Sequence, residues 1–99
     1  MAEARSQSAD AGSVVVRLPG ALVDLFPGAS RSARLPPGTV AEMIDGLDGL
    51  WPGMGARIRD ERPAIRRHIN IFVDGERAEL ETRLEPGAEV YVLMAISGG

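Results

Sequence analysis

The residues with the clearest chemical potential are the last four, Ile96, Ser97, Gly98 and Gly99, which end the sequence in a Gly-Gly carboxylate. Glycine has no side chain and adopts any allowed backbone conformation, so such a tail can thread a narrow cleft. A carboxylate is a poor acyl donor until adenylation by ATP supplies a leaving group, which a sulfur or amine nucleophile then displaces. Since no other segment has the features of an ATP site, we predict that the tail is a substrate of another protein and that Gly99 carries the reactive group.

No other set of residues has the pattern of a catalytic or metal-binding site. There is no cysteine, which excludes disulfides, thiolate ligands and a thiol nucleophile. The single histidine, His68, falls in a predicted strand without an acidic cluster at ligand spacing. Neither a nucleophile elbow nor a Gly-rich phosphate loop is present. We therefore predict no catalytic residue, no metal and no cofactor bound by this chain, which is not expected to be an enzyme.

The charge balance argues against nucleic acid as a partner. All 11 basic residues besides the histidine are arginine, and the formal net charge is −3. Five of these arginines fall in the segment 57–67, but Asp60 and Glu61 interrupt them and no aromatic residue lies among them. We interpret the segment as a solvated charged loop. The absence of lysine also leaves the chain without a side-chain amine for acylation.

The length of 99 residues allows one domain. Residues 1–12 are small and polar without periodicity, so they are predicted to form a disordered arm, and residues 13–99 to form the domain. No apolar run approaches the ~20 residues of a membrane span, and residues 1–12 lack the hydrophobic core of a signal peptide. We expect no membrane association and a soluble, cytoplasmic protein.

Helix signals are concentrated in the middle of the chain. Residues 39–42 (T-V-A-E) have the form of a capping box, which opens a helix predicted over 39–50. Apolar residues recur along one side of this helix at positions 40, 43, 44, 47 and 50. A further helical turn is predicted over 54–60.

Strand signals lie on both sides of that helix. β-Branched or alternating residues predict strands over 13–18 and 30–35 before it, and over 68–73 after it. Asp74-Gly75 is typical of a tight hairpin turn, with a short return strand over 77–80. The order of elements predicts an α+β fold in which one main helix packs across a mixed sheet.

The last strand, which precedes the tail, has two distinct faces. Val90, Val92, Met94 and Ile96 alternate with Tyr91, Leu93 and Ala95. Val90, Val92 and Met94 are predicted to face the core, and Tyr91 and Leu93 to face outwards.

Four motifs in a fixed order resemble the ubiquitin-like sulfur carriers of the ThiS and MoaD type, which have the β-grasp fold. They occupy residues 35–40 (L-P-P-G-T-V), 70–75 (N-I-F-V-D-G), 84–90 (L-E-P-G-A-E-V) and 96–99 (I-S-G-G). The resemblance covers residues 13–99. It implies a β-grasp (ubiquitin-like) fold that presents its carboxyl terminus to partner proteins.

In that family an E1-like enzyme uses ATP and Mg²⁺ to adenylate the terminal glycine, which is then converted to a thiocarboxylate. The resemblance implies that Gly99 bears the sulfur, while Gly98, Ser97 and Ile96 thread the active site of the partner. It also implies that the outer face of the sheet binds the partner. The residues expected on that face are Phe72, Tyr91 and Leu93.

Within the family the chain most resembles the CysO branch, because of its long connection over 52–67 and the segment 67–73 (R-H-I-N-I-F-V). Those carriers supply sulfur to a PLP-dependent cysteine synthase, and a JAMM-type metalloprotease then releases cysteine. One departure is that the proline common near the tail is replaced by Met94-Ala95. Thiamine, molybdopterin, thiolated tRNA and secondary metabolites remain alternative destinations for the sulfur.

Two other functions are compatible with the same residues. The chain could be a protein modifier that forms isopeptide bonds through Gly99, or a non-covalent ubiquitin-like interaction module for which Gly-Gly is incidental. Deletion of Gly99 separates these, since only the interaction module would keep its function.

Overall fold

The structure is a computed structural model that describes residues 12–95. The arm predicted over 1–12 therefore lies outside the described residues except for Gly12, as does the tail over 96–99. The described elements are β1 (Val14–Arg17), α1 (Gly20–Val23), β2 (Ser32–Leu35), β3 (Gly38–Thr39), α2 (Val40–Leu50), α3 (Met54–Ile58), β4 (Ile69–Val73), β5 (Glu76–Arg77), β6 (Arg83–Leu84) and β7 (Glu89–Met94).

Five strands form one mixed sheet in the order β2-β1-β7-β4-β5, and β3 pairs with β6 in a separate two-stranded ladder. β7 lies in the centre, parallel to β1 on one side and antiparallel to β4 on the other. The central strand therefore carries the chain into the predicted tail. The predicted α+β class and mixed sheet are confirmed.

The main helix, α2, begins where the sequence predicts. The Thr39 hydroxyl accepts a hydrogen bond of 3.2 Å from the Glu42 N–H, and the Glu42 carboxylate accepts one of 2.9 Å from the Thr39 N–H. This reciprocal capping box satisfies two N–H groups that the first turn of a helix leaves unpaired. The buried side of the helix comprises Val40, Met43, Ile44 and Leu47.

The alternation along the strands determines what is buried. Val90 and Val92 of β7 lie against the helix side of the sheet with exposures of 0% and 1%, directly opposite Val73 and Ile71 of β4. Burying an aliphatic side chain of this size contributes roughly 1.5–3 kcal/mol. These contacts fix the register of β7 against β4, because a slip by one residue would turn the buried face outwards.

Three local features differ from the sequence prediction. The segment between β1 and β2, for which the sequence predicts neither helix nor strand, contains a one-turn helix, α1, which buries Leu22 in the core. The return strand after the turn at Asp74-Gly75 is Glu76–Arg77 rather than 77–80, because the chain leaves the ladder after Ala78, which is buried and donates its N–H to the Ile71 carbonyl. Leu50, which the periodicity placed on the buried stripe, is 50% exposed because it ends the helix.

The connection after α3 is more ordered than the predicted solvated loop. The Asp60 carboxylate accepts hydrogen bonds from the N–H groups of Arg62 and Ala64 at 3.0 and 3.1 Å, and pairs with the Arg62 guanidinium at 2.6 Å. A β-bridge joins Arg59 to Ile65. The loop is charged, as predicted, but it is folded back on itself by Asp60.

Candidate functional site

The candidate site begins at the end of β7, where the chain enters the tail. The Ala95 N–H donates a hydrogen bond of 2.7 Å to the His68 carbonyl, and Met94 pairs with Ile69. The sheet therefore holds the chain up to the last residue that the structure describes. The four predicted tail residues, Ile96, Ser97, Gly98 and Gly99, lie outside the described residues, and their assigned roles stay predictions.

The three residues predicted for the outer face are brought together by the pairing of β4 and β7. Phe72 lies directly opposite Tyr91, and Leu93 lies two residues further along the same face of β7. Tyr91 and Leu93 are 41% and 45% exposed, and Phe72 is half-buried. We call these three residues the outer-face patch. Its geometry agrees with the predicted alternation, and its role as a partner-binding surface stays a prediction.

Arginines border this patch on two sides. Arg17 lies opposite Tyr91 across the β1–β7 pair and forms an ion pair of 3.1 Å with Glu89. The hydrogen bond and charge of Glu89 raise the pKa of the Arg17 guanidinium above its usual value. On the other side, Arg77 lies opposite Phe72 and donates a hydrogen bond of 2.7 Å to the Asn70 side chain.

Sequence reasoning did not identify these arginines as neighbours of the patch. Arg17 and Arg77 are 60 positions apart and belong to strands that flank the central pair on opposite sides. The strand register, which places them, depends on long-range pairing. The sequence indicated only that both arginines fall in strands, at positions that alternate with the core-facing residues and therefore face outwards.

The described residues contain no group of three or more His, Asp or Glu side chains that could hold a metal ion. Within the same part of the chain, no helix is long and apolar enough to cross a membrane. What the arrangement offers chemically is an apolar surface with cationic borders, next to a strand that continues into a Gly-Gly segment.

Comparison with known proteins gives relatives of similar size. Small archaeal modifier protein 1 of Haloferax volcanii is 31% identical over 61 residues, which are 62% of this chain and 70% of that protein. No model of a protein family matches the chain.

Solved structures match nearly the whole fold. The crystal structure of small archaeal modifier protein 1 from H. volcanii has a TM-score of 0.75 at 28% identity, covering 89% of this chain and 100% of that one. A chain of the Amycolatopsis orientalis BexX/CysO complex gives 0.77 at 29% identity, with 87% and 99% covered. Mycobacterium tuberculosis CysO gives 0.75 at 25% identity, with 84% and 99% covered.

The sheet order, the single main helix and these similarities define a β-grasp protein of the ubiquitin-like class. The chain belongs to the family of ubiquitin-like sulfur carriers and modifiers of the ThiS and MoaD type that includes small archaeal modifier protein 1 and CysO. The resemblance inferred from the sequence is confirmed. A role as a small carrier or modifier that works with other proteins follows from this membership.

Proposed function

We propose that this protein is a sulfur carrier whose Gly99 carboxylate is adenylated and then converted to a thiocarboxylate. The observation that carries the proposal is the position of the segment I-S-G-G in the sequence, one residue after the end of the central strand of the sheet. The strand is anchored on both sides, and its last described residue is bonded to His68. Such an arrangement suits a protein that presents its carboxyl end to another active site.

The proposed activation has two steps, both performed by an E1-like enzyme with ATP and Mg²⁺. A Gly99 carboxylate oxygen attacks the α-phosphorus of ATP, which forms the acyl adenylate and releases pyrophosphate. Hydrosulfide, or a sulfur donor at the same oxidation level, then attacks the acyl carbon and expels AMP. The thiocarboxylate that results holds sulfur where the carboxylate held one oxygen. The carboxylate of Gly99 is required whether it is the translated end or is exposed by processing.

The outer-face patch is the proposed docking surface for the activating enzyme. Two large side chains there, Tyr91 and Leu93, are more than 40% exposed, and both belong to β7, the strand that leads to the tail. Exposed aromatic and aliphatic residues surrounded by polar ones favour a protein interface. Gly98, Ser97 and Ile96 would then lie in the catalytic cleft of the partner.

For the acceptor we propose a PLP-dependent cysteine synthase, with a JAMM-type metalloprotease releasing cysteine afterwards. The resemblance to CysO supports this branch. The alternative acceptors belong to thiamine, molybdopterin, thiolated tRNA or secondary-metabolite synthesis, and activity assays with each purified synthase would distinguish them.

Adenylation can be tested with the purified activating enzyme by ATP–pyrophosphate exchange. The chain should support exchange, and the variant lacking Gly99 should not. The matched control is Ser30→Ala, an exposed loop substitution that should leave exchange unchanged. If the variant lacking Gly99 functions in the source cell as well as the full chain does, the protein is a non-covalent interaction module. That result would contradict the proposal.

A second candidate function is protein modification through Gly99, and the name of the H. volcanii relative favours it. The chain has no lysine, so an isopeptide bond would join Gly99 to an amine of another protein. Denaturing immunoblots of the source cells decide between the two. A ladder of higher bands that disappears with Gly99 supports modification, and a single free band supports the carrier.

A further inference from the structure

A groove opens along the edge of β4, on the side away from β7. It has a volume of about 660 Å³ and lies between the loop after α3 and the segment after β5. We define the edge groove by the segments that line it, 63–67, 69–71 and 77–81, together with Thr39, Ala41 and Arg59. No step of the proposed sulfur chemistry uses these residues.

Strand β4 directs backbone N–H and C=O groups into this groove. Even-numbered residues of β4 and its flanks bond to β7, as the Ala95-to-His68 and Asp74-to-Glu89 bonds of 2.7 and 2.9 Å show. The N–H and C=O groups of Ile69 and Ile71 therefore point towards the groove.

Among the residues that the structure describes, two of those four groups have a backbone partner. The Ile71 carbonyl accepts a bond of 2.8 Å from the Ala78 N–H, and the Ile69 N–H donates one of 2.9 Å to the Arg66 carbonyl. Within residues 12–95, neither the Ile69 carbonyl nor the Ile71 N–H has a backbone partner. In a parallel ladder, one residue of a strand bonds to a C=O group and an N–H group that lie two residues apart on the neighbouring strand. The Ile69 carbonyl and the Ile71 N–H have this spacing, so they suit an added parallel strand.

At the opposite edge of the sheet, the helix α2 packs directly on the edge strand β2. A Cβ placed on Gly46 of α2 would lie 3.1 Å from Leu35 Cδ2 of β2, so helix and edge strand are already in close contact there. Strand addition between a helix and a sheet edge is therefore favoured at β4.

The chemistry of the groove wall indicates what kind of strand would fit. Ile65, Leu80 and Ala78 supply apolar surface, and four arginines outnumber two glutamates, Glu79 and Glu81, in a chain whose net charge is −3. Within the described part of the chain, three of the four guanidinium groups donate hydrogen bonds. Arg59 bonds to Asp45 at 2.6 Å, Arg66 to the Ala56 carbonyl at 2.7 Å and Arg77 to the Asn70 side chain at 2.7 Å.

These bonds already fix the orientation of the guanidinium groups. Binding of a ligand carboxylate to them would therefore cost little further side-chain conformational entropy. We propose that the edge groove binds an extended segment of a partner protein in which apolar residues alternate with acidic ones. The segment runs parallel to β4. One of its residues donates its N–H to the Ile69 carbonyl and accepts from the Ile71 N–H, while its acidic residues face the arginines.

The groove also adjoins the outer-face patch. Asn70 and Arg77 line the groove, and on the outer face they lie opposite Leu93 and Phe72. A partner docked on the patch could therefore extend a strand into the groove. This binding does not depend on Gly99, so it can fail while the carrier function stands, and the converse also holds.

The test is an NMR titration of the ¹⁵N-labelled chain with a capped seven-residue peptide that alternates valine and glutamate, with glutamate at the centre, because the central residue lies beside Asn70 and shares its face with Arg77. We expect saturable shifts of the Ile71 amide and of the amides over 78–80. A peptide with lysine in place of glutamate, and one with proline at the centre, should each bind at least about tenfold more weakly. The variant lacking Gly99 should bind as the full chain does.

Variants of the arginines provide the matched comparison. Arg67→Glu with Arg77→Glu should weaken binding of the glutamate peptide by about tenfold. Arg57→Glu with Arg83→Glu makes the same change of charge at exposed sites outside the groove and should have little effect. Absence of binding, shifts confined to the outer-face patch, or equal binding of the lysine peptide would overturn the proposal.

Discussion

Neighbouring residues of one strand lie on opposite faces of the sheet, one in the core and the next exposed. On β7, Val92 is 1% exposed and contributes to the core, while the adjacent Leu93 is 45% exposed on the outer face. The same division separates Ile71 from Phe72 on β4. An exposed leucine next to a tyrosine adds little to folding, so its presence there favours a role in binding.

The first prediction compares truncation of an exposed and of a buried aliphatic side chain. Ile71→Ala should lower the free energy of unfolding by about 2–5 kcal/mol, because it leaves a cavity in the core. Leu93→Ala should change it by less than about 0.5 kcal/mol while weakening binding to the activating enzyme. Urea unfolding and binding measurements on both variants check this. Equal destabilisation by the two variants would contradict the assignment of faces.

The second prediction concerns the hydroxyl that caps α2. Thr39→Ala removes the acceptor of the Glu42 N–H and should lower the free energy of unfolding by about 1 kcal/mol. The control is Ser30→Ala, at an exposed loop position, which should be nearly neutral. Thermal unfolding of the two variants provides the comparison, and a neutral Thr39→Ala would show that the cap contributes little.

At the scale of the elements, α2 is held by packing despite containing two glycines. Gly46 lies against Leu35, whereas a Cβ on Gly49 would meet no atom within 4 Å. The two positions share a helix and differ in available space, which gives a matched pair.

The third prediction follows from that pair. Gly49→Ala should stabilise the protein by up to about 1 kcal/mol, the usual difference in helix propensity. Gly46→Ala should gain less or lose stability, because Leu35 must shift to accommodate the methyl group. Chemical unfolding measures both, and a larger gain at Gly46 would contradict the observed packing.

The fourth prediction concerns the loop that forms one wall of the edge groove. The Arg62 side chain, together with the backbone N–H groups of Arg62 and Ala64, holds the pKa of Asp60 below its usual value. A pKa lowered by folding stabilises the loop above the unfolded value of about 4, and this contribution is lost as the pH falls through the folded value.

NMR spectra recorded at decreasing pH check this. The Arg62 and Ala64 amides should change as the pH falls through the lowered pKa of Asp60, which is below the ordinary value for an aspartate. The matched control is Asp60→Asn, which should show a perturbed loop without that acid transition. An Ala64 amide that titrates identically in the variant would contradict the role of Asp60.

Several elements could be predicted from the sequence because their causes are local. The capping box over 39–42, the alternation of β7 and the turn at Asp74-Gly75, where Asp74 has φ of 49° and Gly75 of 89°, depend on near neighbours. The edge groove and the arginines beside the patch could not be predicted, since they depend on strand register and on where the loop after α3 folds. The helix α1 was missed because four residues carry too little periodicity, and its burial of Leu22 is a tertiary effect.

At the scale of the whole molecule, we propose that the protein serves as a substrate on which other enzymes act. One face of the sheet packs in the hydrophobic core, and the other face carries the outer-face patch. The central strand precedes the tail that ends in Gly99. The enzyme-like features would then belong to the proteins that bind it.

The fifth prediction tests that claim most directly by mass spectrometry of the intact protein. After co-expression with its activating enzyme and a sulfur source, the mass should increase by the replacement of one oxygen with sulfur, and fragmentation should place the sulfur on Gly99. The Leu93→Ala variant, whose folding should be intact, should accumulate less of this form. An unmodified Gly99 in the presence of an active enzyme, ATP, Mg²⁺ and sulfide would contradict the account.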